Sequence, residues 1–201
     1  AQQRMWFINQ FDPDSAGYNL PTVLRLTGDL DLDALHSAVV AVVARHEALR
    51  TTFPSDDGVP HQKIARASSA GARLDWDVVE SREQLEAAVA AGFDVTRQWP
   101  IRVRVWPAME NEHVVAVITH HIASDGESMA PMVTDMVTAY LAELEDRDPD
   151  FAPLPVQFAD YALWQHRELG STDDPDSVVG RQLGFWKETL TGLPDLVELD
   201  R

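Results

Sequence analysis

The chain has 201 residues, 45% of them hydrophobic, 33 acidic against 16 basic side chains for a formal net charge of −17, and no cysteine. That is enough apolar material for a packed core, while the negative balance repels phosphate backbones and excludes nucleic acid as an expected partner. Without cysteine there are no disulfides, no thiolate catalysis and none of the common structural zinc sites. No run approaches the roughly eighteen apolar residues of a membrane span, and the amino end does not resemble a signal peptide, so a soluble, cytoplasmic protein is expected.

The segment LPTVLRLTGDL reads as a strand running into a turn. DLDALHSAVVAVVARHEALR follows with Leu32, Leu35, Val39, Val42 and Val43 at helical spacing after an acidic start, which predicts a helix. TTFPSDDGVPHQKI reads as two short strands around Asp57-Gly58, a hairpin pair in which glycine supplies positive φ. SREQLEAAVAAGF opens with Ser81 and Gln84 in the Ser-x-x-Gln spacing of a capping box, so a second helix begins there. In IRVRVWPAMENEHVVAVITHH, Ile101, Val103 and Val105 alternate with Arg102, Arg104 and Trp106, whereas residues 114–118 are apolar without alternation. The first strand is therefore expected to be half exposed and the second buried. Helical spacing returns in MAPMVTDMVTAYLAEL, with Pro131 tolerable in that helix's first turn. A proline-bearing linker, EDRDPDFAPLPV, leads to QFADYALWQHREL, an acidic loop and a last helix through SVVGRQLGFWKETL.

His120 and His121 thus fall between a buried strand and a helix. Successive strand side chains point to opposite faces, so only one of the two histidines can face a given cleft. That geometry argues against a shared metal, as does the lack of a neighbouring Glu-x-x-His or thiolate. Two satisfied structural histidines would be the plain reading. The sharper one is a proton acceptor, because an imidazole with an ordinary pKa near 6.5 suits that task at a strand end. Asp125, four residues beyond His121, could orient a ring, pair with a distant arginine or cap the following helix. Gly126 leaves room for close approach of backbone and substrate, and a plain turn would explain it equally.

His120, His121, Asp125 and Gly126 form the pattern His-His-x-x-x-Asp-Gly, which resembles the signature of nonribosomal peptide synthetase condensation domains. AQQRMW at the amino end, RHEALRTTF from Arg45 to Phe53 and FADYALW from Phe158 to Trp164 resemble further motifs of that family in order and spacing. A lone His-x-x-x-Asp would be weak, since related coenzyme A-dependent acyltransferases carry it. Two departures stand out: the chain starts inside the opening motif, and Glu127 occupies the place where the family commonly has tryptophan.

The resemblance implies a chloramphenicol-acetyltransferase-like α/β sandwich, with helices packed on a mixed sheet. Residues 1–201 would be the amino-terminal lobe of a two-lobed domain, with its core over roughly 1–155 and connecting helices over 156–201. The implied reaction joins a donor thioester to the amine of an acceptor aminoacyl thioester. His121 would contact that amine, with His120 in support and Asp125 structural, while Gly126, Glu127 and Ser128 would line the substrate. RHEALRTTF raises the expectation of an Arg50–Asp125 ion pair, with Arg45 a surface charge, and FADYALW that of a core-facing aromatic stripe. No cofactor is implied in the lobe itself; phosphopantetheine would arrive on donor and acceptor carrier domains, beside an adenylation domain and the second lobe. HHIASDGESM and YNLPTVLRLTG resemble the subgroup that accepts a D-configured donor. An epimerisation domain and a catalytically silent recruitment domain share the fold and stand as alternatives.

Overall fold

The computed structural model describes residues 2–194, so Ala1 of AQQRMW and the last seven residues of the expected lobe lie outside the described part. Two compact units divide between Gln157 and Phe158.

The first unit is built on a four-stranded mixed sheet. In chain order it contains α1 (Gln2–Phe11), β1 (Asn19–Thr27), α2 (Leu32–Arg45), the two-residue strands β2 (Thr51–Thr52), β3 (Ser55–Asp56), β4 (Val59–Pro60) and β5 (Lys63–Ile64), the single turn α3 (Ala70–Arg73), β6 (Asp75–Val78), α4 (Arg82–Ala90), β7 (Ile101–Met109), β8 (Glu112–His120) and α5 (Gly126–Leu144). Strands run in the order β1-β8-β7-β6, antiparallel except for the parallel β6–β7 pair. β8 is an interior strand with both faces covered, which is why its sequence is apolar without alternation. Val115 and Val117 pack with Val39, Val42, Val43, Met132 and Met136 of α2 and α5. Ala116 and Ile118 pack on the other face with Trp6 of α1, Leu85 of α4 and Phe93.

Local signals in the sequence correspond to local bonds. Asp31 caps α2 through the amides of Asp33 and Ala34, and Asp57 and Gly58 take φ of 50° and 80° in the β3–β4 turn, the geometry of a two-residue hairpin. Ser81 accepts from Gln84 N. The Gln84 carbonyl, however, reaches Glu80 N, one residue before the position a capping box would satisfy.

Two expectations are corrected. β7 is not half exposed over its first half, because Arg102 is 6% exposed. Its guanidinium donates to the carbonyls of Ala88, Ala91 and Gly92, pairs with Asp75 and lies 4.4 Å from the Phe93 ring centroid; a fully hydrogen-bonded arginine can be buried where an unpaired one cannot. Pro131 is the sixth residue of α5, not in its first turn. The amide it lacks would have bonded the Glu127 carbonyl, and that turn is exposed, where water can take over.

Gly92 marks the closest backbone approach in this unit. A Cβ there would lie 2.7 Å from the carbonyl carbon of Asp14 and closer still to the Pro13 carbonyl oxygen, so backbone must shift. We expect Gly92→Ala to destabilise the fold by about 2 kcal/mol, as for other overpacked sites, measurable as a lower urea midpoint with unchanged slope.

The second unit contains α6 (Phe158–Leu169) and α7 (Val178–Thr189). Ser177 caps α7 by accepting from Gly180 N at 2.9 Å. On α6, Phe158, Tyr161 and Trp164 form a ladder with centroids 6.0 and 5.7 Å apart. The stripe expected from FADYALW is present but is not a core face: α6 has no buried residue, and all three rings are exposed.

Candidate active site

The two histidines differ in every respect that chemistry cares about. His120 ends β8 with the parity of Ala116 and Ile118, so it faces the α1 and α4 side and is 1% exposed. The Phe93 ring stands nearly perpendicular to it at 6.1 Å, and Tyr18 lies at the same separation. Its Nδ1 accepts the Ile122 amide at 3.0 Å, so the neutral ring carries its proton on Nε2. Burial pushes its pKa down to about 4, with nearby His121 adding to the effect.

His121 opens the turn that follows, and its backbone amide donates to Tyr18 O at 2.8 Å. Its ring is partly exposed, with Nδ1 2.8 Å from the Ser124 carbonyl oxygen. A carbonyl can only accept, so Nδ1 carries the proton and the neutral ring presents its lone pair on Nε2. Ser124 is held in turn by its hydroxyl, 2.6 Å from Thr119 Oγ1 on the α2 and α5 side of the sheet. His121 lies outside the strand, so strand alternation does not orient it, and the two rings hold opposite tautomers.

Asp125 caps α5. Its Oδ1 accepts from the Ser128 amide at 3.0 Å and the Ser128 hydroxyl at 2.6 Å, while Ser128 Oγ accepts from Asp125 N at 3.1 Å. The Ser128 hydroxyl bond, helped by the Ser128 amide and His121, holds this carboxyl below the usual carboxylate range. The Ser128 hydroxyl is engaged by Asp125, and Glu127 is exposed. A Cβ on Gly126 would meet nothing within 4 Å, and its φ is not positive. This glycine leaves open space beside the cap rather than forming a turn.

The Arg50–Asp125 pair is not formed. Arg50, 7% exposed, donates to Ala44 O at 3.3 Å and to Ala65 O, and lies 3.5 Å from Glu47. It faces the start of the segment after β5, whereas Asp125 is satisfied at an exposed helix start. We therefore expect Asp125→Ala to cost about 1 kcal/mol, the value of a lost cap, and not the 3 to 5 kcal/mol of a broken buried pair; the urea midpoint distinguishes them.

Arg45 is not a surface charge either. Arg45 and His46 both reach Asp135 Oδ2 of α5, at 2.9 and 2.7 Å, and Arg45 donates to Ala152 O with its guanidinium over Phe151. Gln157 donates to Arg45 O and accepts from Glu47 N. These residues tie the proline-bearing linker to the end of α2. Their partners lie 89 to 112 residues away, beyond any local sequence signal.

The family sequence model described as "Condensation domain" matches residues 1–200. The chain is 42% identical over 205 residues to an isonitrile lipopeptide synthase of Mycobacterium tuberculosis and 42% identical over 202 residues to a dimodular nonribosomal peptide synthase of Bacillus subtilis, covering 99% of this chain in both cases. It spans 8% of the length of each. Among solved structures, the X-domain from teicoplanin biosynthesis, determined in a complex with OxyB, is 38% identical with a TM-score of 0.85, covering 100% of this chain and 44% of that one. The first condensation domain of the CDA synthetase, at 21% identity and a TM-score of 0.77 over 100% of this chain and 51% of that one, has the same fold. A mixed sheet ending in an unequal histidine pair, matched to the family along nearly its whole length, places this chain in the condensation-domain family, with its chloramphenicol-acetyltransferase-like fold.

Proposed function

We propose that this chain is the amino-terminal lobe of a nonribosomal peptide synthetase condensation domain that forms amide bonds. The observation that carries the reading is the His121 ring, fixed by the Ser124 carbonyl so that its Nε2 lone pair faces away from that bond. The acceptor amine attacks the donor thioester carbonyl: a C–N bond forms, the C–S bond breaks, and the proton lost by the amine ends on the departing thiolate. Nε2 of His121 receives that proton or holds the amine in line, and positioning alone is worth several kcal/mol of barrier. His120 is a buried support, Asp125 holds the turn to α5, and Gly126 admits the phosphopantetheine arm. The donor and acceptor carrier domains, an adenylation domain and the second lobe are the proposed partners, in a cytoplasmic assembly. A D-configured donor is the preferred substrate.

A second reading has support of its own. The 38% identity to an X-domain whose structure was solved with OxyB favours recruitment of another protein by a silent domain. His121, held with its lone pair free, favours chemistry.

The test mixes this chain, and separately one extended by a downstream lobe, with carrier domains loaded with D- or L-donors and an acceptor, and follows carrier-bound dipeptide by mass spectrometry. Product from the extended protein alone, with the D-donor, is expected. A site between two lobes needs both to exclude water and align two arms, and misplacement by about 1 Å costs a hundredfold. Equal turnover by the short chain overturns the lobe assignment. A changed configuration without chain growth indicates an epimerisation domain, and inactivity with every matched substrate indicates recruitment.

A further inference from the structure

The turn that carries His121 is held from a distance by two glutamines. Ile122 follows His121; its side chain is buried beside Trp6 and Phe53 and its amide donates to His120 Nδ1. Its carbonyl accepts from Gln2 Nε2 of α1 at 2.8 Å. Gln2 Oε1 accepts in turn from Gln62 Nε2, in the connection between β4 and β5, at 2.7 Å. Segments 60 and 120 residues apart from Gln2 thus meet on one side-chain amide.

From this juxtaposition we propose that Gln2 and Gln62 are positioning residues for His121, acting in series, a role that rests on the proposed catalytic reading of that histidine. A primary amide has one donor end and one acceptor end. Gln62, by donating to Oε1, dictates that the Nε2 end of Gln2 faces Ile122. The reverse orientation would set oxygen against the Ile122 carbonyl and nitrogen against the Gln62 nitrogen, two unfavourable contacts in place of two bonds. With the Ile122 carbonyl fixed, the peptide plane between Ile122 and Ala123 is fixed. So is the path to Ser124, whose carbonyl selects the Nδ1–H tautomer of His121.

This predicts a result that packing would not give. Gln62→Glu preserves size but supplies only acceptors, so it turns the Gln2 amide around and removes the bond to Ile122. Histidine side-chain nitrogen–proton correlation spectra of the 201-residue chain report the His121 tautomer directly, with thermal unfolding as the folding control. Gln62→Glu is expected to raise the minor Nε2–H population roughly fivefold, the effect of one lost hydrogen bond. Gln2→Met is expected to do the same, and Gln62→Glu in the Gln2→Met background to add nothing, because the two act in series. If Gln2→Met does not fold, Gln62→Glu alone decides. An unchanged His121 tautomer in Gln62→Glu, or an undiminished effect in the Gln2→Met background, overturns the proposal. The spectra contain no substrate, so loss of the condensation reading in carrier assays would leave the tautomer result standing on its own.

Discussion

Replacing His121 by alanine in the extended condensation domain is expected to lower dipeptide formation by about 10² to 10⁴-fold, the range for removing a general acid–base group, while the unfolding midpoint moves little. The ring is partly exposed, and its one hydrogen bond among the described residues is to the Ser124 carbonyl, which water can satisfy once the ring is gone. Single-turnover rates with saturating carriers read the chemical step. A His121→Ala protein that retained more than a tenth of the wild-type rate would move the chemistry elsewhere. A protein inactive because it is unfolded would be exposed by the same denaturation curve.

His120 should behave in the opposite manner, with an effect on stability that depends on pH. Its pKa is about 4 in the folded protein and near 6.5 in an unfolded chain. Between these values the unfolded state binds a proton that the folded state does not, so stability falls as the pH drops from 6.5 towards 4 and the loss is complete below that. The size of the shift corresponds to about 3 kcal/mol. Urea unfolding at pH 7 and pH 4 should show this component in the wild type and not in His120→Asn, whose side chain accepts a hydrogen bond but does not titrate in this range. Carboxylates contribute to both proteins, so the difference between the two curves isolates the histidine. Parallel curves would mean that the buried ring takes up its proton without penalty.

β1, β7, β8, α2, the Asp57-Gly58 hairpin and α5 were legible because each is written in a local pattern: alternation, an apolar run, helical spacing or a turn pair; the fourth strand, β6, was not read. The histidine motif was legible for the same reason, since its residues lie within one strand end, one turn and one helix start. What failed depended on distance. Arg102 sits in an alternating strand and so reads as solvated; it is buried because α4 and the segment after it end in three carbonyls aimed at its guanidinium. Arg50 and Asp125 are charges of opposite sign, and only the geometry reveals that each already has nearer partners. The amino-terminal helix and its glutamine contacts left no periodic signal strong enough to read. FADYALW carries a helical stripe, and periodicity cannot say whether a stripe is covered.

That uncovered stripe has a consequence for how the molecule behaves in bulk solution. Phe158, Tyr161, Leu163 and Trp164 on α6, with Phe185 and Trp186 on α7, expose apolar surface of the kind that makes proteins adhere to one another. Opposing this is the net charge of −17, which keeps like molecules apart over a distance set by dissolved ions, about 30 Å at 0.01 M salt and about 10 Å at 0.1 M. Ionic strength therefore acts on how molecules of this chain meet: dilute buffer keeps their rings apart, and added salt lets them approach.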